Sequence, residues 1–260
     1  MRKPLQACVV GVAGLCWWPG AMAQSMEDAA GQVRTQATLE ARHEWLDSGM
    51  EDWNAIRLGF SRTGTWTRGW YGALVRESRF GASDTGIELG GFVPLDDRWL
   101  LQLDGGAVSD AGFLPHGYAE ARITRRLADG WLLSGAARTA HYPTAHVRRG
   151  SLDVERYVGT WRLAYGYDLT RLHGARLGSH EVSIDRYYGD RDVVGLRLGH
   201  GKEASQRPGG VLVAAGVSAA WVRGTHWFSP RWALDWSAGH VAQDVGYDRT
   251  WMQLGLRREF

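Results

Sequence analysis

Alternation with a period of two constrains this chain more than any other feature. Apolar residues occupy every second position in Ile56-Leu58-Phe60, Ile87-Leu89-Gly91-Val93, Trp99-Leu101-Leu103, Ala119-Ala121-Ile123 and Trp131-Leu133-Gly135. The pattern continues in Trp161-Leu163-Tyr165, Val182-Ile184, Val194-Leu196-Leu198, Trp232-Leu234-Trp236 and Met252-Leu254-Leu256. A strand turns successive side chains to opposite faces, so each segment reads as a strand with one greasy face. The intervening positions carry Arg57, Glu88, Asp104, Glu120, Arg122, Arg138, Asp185 and Arg197, and turn-forming clusters recur every ten to fifteen residues. The fold class is all-β and antiparallel.

Two architectures share this alternation. A soluble sandwich buries the apolar face and wets the charged one. A membrane barrel gives the apolar face to lipid and the charged one to a lumen. The N-terminus and the turns discriminate between them. Arg2 and Lys3 precede a mostly apolar stretch from Leu5 to Trp18, Pro19-Gly20 ends it, and Ala21-Met22-Ala23 supplies small residues. That is the pattern of a secretory signal peptide, with cleavage expected between Ala23 and Gln24. The apolar run is too short to span a bilayer. Cys8 and Cys16 would leave with it, and neither sits in a lipoprotein context. A mature chain without thiols has no disulfide framework and no Cys nucleophile. Losing Arg2 and Lys3 balances the 30 basic residues against the 28 acidic ones, so nucleic-acid binding is not expected. After residue 23 no apolar run is long enough for a membrane helix. A closed barrel is the other structure whose backbone is satisfied in lipid.

Aromatic residues flank six short turns. Trp66 follows Arg62 to Thr65, Trp99 follows Asp96-Asp97-Arg98, and Trp131 follows Ala128-Asp129-Gly130. Trp161 follows Val158-Gly159-Thr160, Trp232 follows Ser229-Pro230-Arg231, and Tyr187-Tyr188 precede Gly189-Asp190-Arg191. Tryptophan favours the membrane–water interface, so these five tryptophans are expected to form a girdle at one end. Putting the six turns in the periplasm predicts about fourteen strands between residues 37 and 260, with residues 24–36 as a flexible periplasmic lead. A split at Gly159 is needed to keep the strand number even. Twelve strands is the alternative if the first pair lies outside the barrel. The longer outer connections are expected at 108–115, 170–179, 201–209 and 243–248.

The lumen face is expected to hold Arg57, Glu88, Asp104, Glu120, Arg122, Arg138, Glu155, Asp185 and Arg197, with Arg76, Glu77, Arg79, Arg162 and Arg257 beside them. Their mixed signs suit cross-strand ion pairs. At the other extreme of the chain, Gln253, Gly255 and Phe260 follow a polar–x–Gly pattern closing on an aromatic, which is similar to the strand recognised by the barrel-assembly machinery. Gly255 and Phe260 are the expected assembly signal; Arg258 departs from the pattern.

Several phrases resemble the YaiO family of outer-membrane barrels: Asp52-Trp53, Val75-Arg76 with Arg79-Phe80-Gly81, Glu155-Arg156-Tyr157, Asp185-Arg186-Tyr187-Tyr188-Gly189, and Leu254-Gly255-Leu256. The resemblance implies a single barrel in the outer membrane, with membrane lipid and the assembly machinery as partners and no catalytic residues carried over. Related barrels form the C-terminal parts of exopolysaccharide exporters behind helical repeats, which this chain lacks.

An enzyme is the rival class. His116, His141, His146, His173 and His180 fall near expected outer ends, and Ser151, Ser179 and Ser183 could be nucleophiles of a lipid hydrolase. No motif fixes a partner for any of them. Phosphate-loop, His-Glu-x-x-His and calcium-loop patterns are absent too, so neither cofactor nor metal is expected. The expected function is passive, structural or channel-like; the oligomeric state is left open.

Overall fold

The computed structural model describes residues 33–260 apart from 48, 66 and 67. The cleavage pair Ala23 and Gln24, and Trp66 of the expected girdle, lie outside the described residues.

Fourteen strands follow one another: β1 Arg34–Leu46, β2 Trp53–Thr65, β3 Arg68–Arg79, β4 Ala82–Pro94, β5 Trp99–Ser109, β6 Gly117–Arg126 and β7 Trp131–His141. The second half holds β8 His146–Val158, β9 Trp161–Leu172, β10 Ala175–Tyr188, β11 Asp192–Gln206, β12 Leu212–Trp227, β13 Trp232–Gln243 and β14 Arg249–Glu259. Each pairs antiparallel with its neighbours, and β1 pairs with β14 from Gln36↔Glu259 to Leu46↔Arg249, which closes the barrel. Closure satisfies every edge, the condition for crossing lipid with strands. It also decides the strand number at fourteen, because β1 and β2 are full members of the wall.

The split at Gly159 is where the structure turns: Gly159 has φ +55°, a left-handed conformation favoured by glycine, and joins β8 to β9 through two residues. The start of β1, the end of β14 and the five described short turns lie at one end of the barrel, the periplasmic end by the usual rule for bacterial barrels. Several boundaries differ from the sequence reading. β1 takes in residues 34–36, the expected loop at 170–179 is only the turn His173-Gly174 between β9 and β10, and the expected loop at 201–209 moves to 207–211 because β11 runs on to Gln206.

Side-chain phase follows the alternation through the middle of the wall. Leu58, Leu74, Leu89, Leu103, Leu163, Leu198 and Leu254 point outward and are exposed to what would be lipid. Towards the outer end the pattern inverts. Ala140, Tyr142, Val147, Leu172, Leu177, Ala204 and Leu212 pack together inside the wall, and Leu46, Trp53 and Tyr247 form a second internal cluster with Met50 and Phe80. The same strands therefore present a membrane pattern below and a soluble-protein pattern above.

Candidate functional site: a charged lumen beneath a closed outer mouth

Arg57, Glu88, Asp104, Glu120, Arg122, Arg138, Glu155, Asp185 and Arg197 occupy inward-facing, buried or half-buried positions of their strands. Arg57 on β2 donates to Glu88 on β4 at 2.9 Å. Asp104 accepts from Tyr71 and, at 2.9 Å, from Gln102. Glu120 lies within 3.6 Å of Arg122, 3.5 Å of Arg138 and 3.4 Å of Arg149, and Arg122 also donates to Asp153 at 2.6 Å. Arg162 bridges Glu155 at 2.7 Å and Asp185 at 2.6 Å. Arg223 takes the other Asp185 oxygen at 2.6 Å, and Arg197 donates to Glu181 at 2.8 Å. Asp185 and Arg197 have no exposed surface at all, so this pairing replaces their water. Arg257 meets Asp235 through two nitrogens, at 3.0 and 2.8 Å.

Arg76 is the exception: it points outward and is exposed, while Val75 and Glu77 on either side are buried in the lumen. The phase of β3 is set by Tyr71, Ala73, Val75, Glu77 and Arg79, in which apolar and charged residues share the inner face, so the alternation reads ambiguously there. Sequence reading also missed Glu40, Glu44, Asp153, Asp168, Glu181 and Glu203, all buried on the lumen side. They were available from phase alone: Asp153 lies two residues from Glu155, and Glu181 lies four from Asp185. Among the described residues, fully and half-buried lumen carboxylates then outnumber the arginines, fourteen to eleven. The lumen wall leans acidic.

The outer mouth is crossed by its own loops. Asp84 on β4 accepts from the backbone N–H of Gly112 (3.0 Å), Phe113 (3.0 Å) and Leu114 (2.7 Å), drawing the β5–β6 loop inward. Phe113 and Leu114 are buried. Gln206, at the end of β11, donates to the Phe113 carbonyl at 2.5 Å and accepts from Arg79 on β3, nearly opposite in the ring, at 2.9 Å. Arg79 lies over the Trp53 and Phe113 rings, 4.5 and 5.3 Å from their centres. Tyr247 donates to the Gln206 carbonyl at 2.5 Å. Burial pushes its hydroxyl up to about 12, so it remains a donor at any ordinary pH. Gly210 sits so close to the β5–β6 loop that a Cβ there would lie 2.4 Å from the Gly112 carbonyl oxygen. No sequence signal marked this closure.

At the periplasmic end Trp99, Trp131, Trp161 and Trp232 each open a strand, and each faces an arginine directly across the next strand: Arg125, Arg156, Arg186 and Arg258. The guanidinium carbons lie 5.2, 5.0, 5.5 and 5.3 Å from the ring centres. Gly255 lies in the lumen opposite Glu40 and Asp235, with Glu40 Cγ only 2.8 Å from where a Cβ would stand. Phe260 donates its N–H to the Thr35 carbonyl at 3.0 Å, and its ring lies 4.8 Å from the Arg258 guanidinium carbon. If this strand guides insertion, deleting Phe260 should lower the folded protein recovered from outer membranes far more than changing the loop residue Pro208. Arg258→Leu should be tolerated, because an arginine this near an interface costs about 0–1 kcal/mol. The opposite ranking in a heat-modifiable gel assay would remove the assembly role.

The hydrolase pairings do not assemble. Ser151, Ser179 and Ser183 face the lumen, and Ser151 donates to Asp168 at 2.5 Å. His116, His141, His146 and His180 are exposed on the outside of the barrel. The wall separates these would-be nucleophiles from those four histidines, and His173 is exposed in the turn between β9 and β10.

Solved barrels have the same fold. The "CymD monoaromatic hydrocarbon channel" superposes with a TM-score of 0.57 at 10% identity, covering 88% of this chain and 89% of that one. The Acinetobacter baumannii outer membrane protein Omp33 does so with a TM-score of 0.52 at 8% identity, covering 87% and 99%. No curated protein sequence matches the chain. The model of the YaiO membrane β-barrel domain matches residues 34–206, from the first residue of β1 to the last of β11, and the chain belongs to that family of outer-membrane barrels.

Proposed function

We propose that this barrel is passive rather than catalytic: a channel-like outer-membrane protein serving envelope or exopolysaccharide traffic, with a narrow, acid-leaning lumen. The observation that carries the reading is the lumen wall, where paired arginines and carboxylates run from Glu155 and Asp185 near the periplasmic end up to Glu44 and Arg249 near the mouth. The same pairs also stabilise the wall across its strands. The surplus of buried carboxylates favours cations over anions by simple Coulomb attraction. The channels among the solved structures of the same fold are consistent with this. Planar-bilayer recording of the refolded barrel should give small, cation-preferring steps. Silence under every voltage and salt condition, or altered lipid A or phospholipid after incubation with the purified protein, would return the choice to a structural or an enzymatic barrel.

A further inference from the structure

The outward face changes character at the outer ends of β8, β9 and β10. Along β9 the outward residues run Trp161, Leu163, Tyr165, Tyr167, Leu169 and then Arg171. On β8 they run Val154, Leu152, Gly150 and Arg148, and on β10 Ile184, Val182, His180, Gly178 and Arg176. The register places Arg171 directly opposite both Arg148 and Arg176. Neighbouring strands lie about 4.8 Å apart, so three exposed guanidiniums stand in a row on the lipid side. Like charges directly opposite one another destabilise a sheet unless something compensates them.

Nothing among the described residues compensates them. Among the described residues none of the three has a carboxylate, hydrogen-bond or ring partner, and the outward positions of β6 to β10 hold no Asp or Glu. Arg125, Arg156, Arg186 and Arg258 at the periplasmic end, by contrast, are each stacked on a tryptophan. The acids of these strands, such as Asp153, Asp168 and Glu181, point the other way. Directly behind the row the inner face is apolar, with Val147, Leu172 and Leu177. The ground below is low: Gly150 has nothing within 4 Å of a would-be Cβ, and at Gly178 the Tyr167 hydroxyl lies 2.9 Å from that point.

We infer that Arg148, Arg171 and Arg176 dock the phosphate of an outer-leaflet lipid headgroup. The row sits one outward position beyond Leu169, the last outward apolar residue of β9, where acyl chains give way to headgroups. Guanidinium forks match phosphate oxygens in pairs, and a phosphate dianion neutralises the repulsion across the row. Tyr167 adds a hydroxyl beside Gly178, one outward position below the row.

The test compares wild-type barrel, the triple variant R148Q/R171Q/R176Q and R62Q, an outward arginine at the opposite end, in neutral detergent. Affinity is measured for bis-phosphorylated lipid A, for its dephosphorylated form and for inorganic phosphate. Wild type and R62Q should bind the phosphorylated lipid at least about tenfold more tightly than the triple variant (about 1.4 kcal/mol), and the dephosphorylated lipid should not discriminate. Equal affinities for wild type and triple variant overturn the inference. Inorganic phosphate binding as tightly as the lipid also overturns it, by making this a free-anion site. If the triple variant does not fold by gel shift, R171Q carries the same comparison. The result is independent of conductance, so it stands or falls apart from the channel reading.

Discussion

Replacing Arg162 with methionine should destabilise the barrel by about 3–5 kcal/mol, the usual consequence of stranding buried charge. Among the described residues Arg162 is the group that bridges Glu155 and Asp185, at 2.7 and 2.6 Å, and all three are at most 1% exposed. Methionine fills the volume but leaves Glu155 with only Tyr157, a hydroxyl 3.3 Å away. Asp185 keeps Arg223, so the damage should centre on Glu155. Adding Glu155→Gln to Arg162→Met should recover much of the loss, because the uncompensated charge is then gone. Urea unfolding in lipid vesicles, followed by tryptophan fluorescence, measures both. A single-variant loss under about 1 kcal/mol would mean that water reaches this cluster freely, and the picture of a packed wall would be wrong.

The second large effect is on the mouth. Asp84→Ala removes the carboxylate that holds the backbone N–H groups of Gly112, Phe113 and Leu114. Hydrogen bonds to a charged group contribute about 1.5–3 kcal/mol each. Even about 2 kcal/mol shifts a two-state equilibrium by about 30-fold. The β5–β6 loop should then leave the mouth for much of the time, and single-channel conductance should rise several-fold, with longer open intervals. Unchanged conductance, with the wild type itself conducting, would place the constriction lower down, at the Arg162 or Arg197 level.

The wall was legible in the sequence because lipid and lumen impose opposite demands on adjacent residues. Leu163 and Arg162 cannot exchange faces without cost, so phase survives in the one-dimensional pattern. It fades where those demands fade. Around 170–179 the outward residues become Arg171, Arg176 and Gly178 while Leu172 and Leu177 turn inward, and a search for outward apolar residues ends the strand too early. β3 misled at Arg76 for a related reason, since Val75 packs inside. The closure of the mouth left no trace at all. Asp84 and Leu114 are 30 residues apart, Arg79 and Gln206 are 127 apart, and only the completed ring brings them together. The outward arginine row is similar: each member looks like an ordinary surface charge until the register of three strands aligns them.

The inverted pattern at the outer end sets an order of events. Val147, Leu172, Leu177 and Leu212 can gather only when β8 through β12 already stand side by side, and Phe113 reaches Gln206 only from across a finished ring. The cap must therefore form last, on the far side of the membrane, after every strand has crossed with its loop still open. A newly inserted barrel passes through a stage with a complete wall and no lid. During that interval only the packed ion pairs of the lumen, such as Glu155–Arg162–Asp185, stand between the two sides of the membrane.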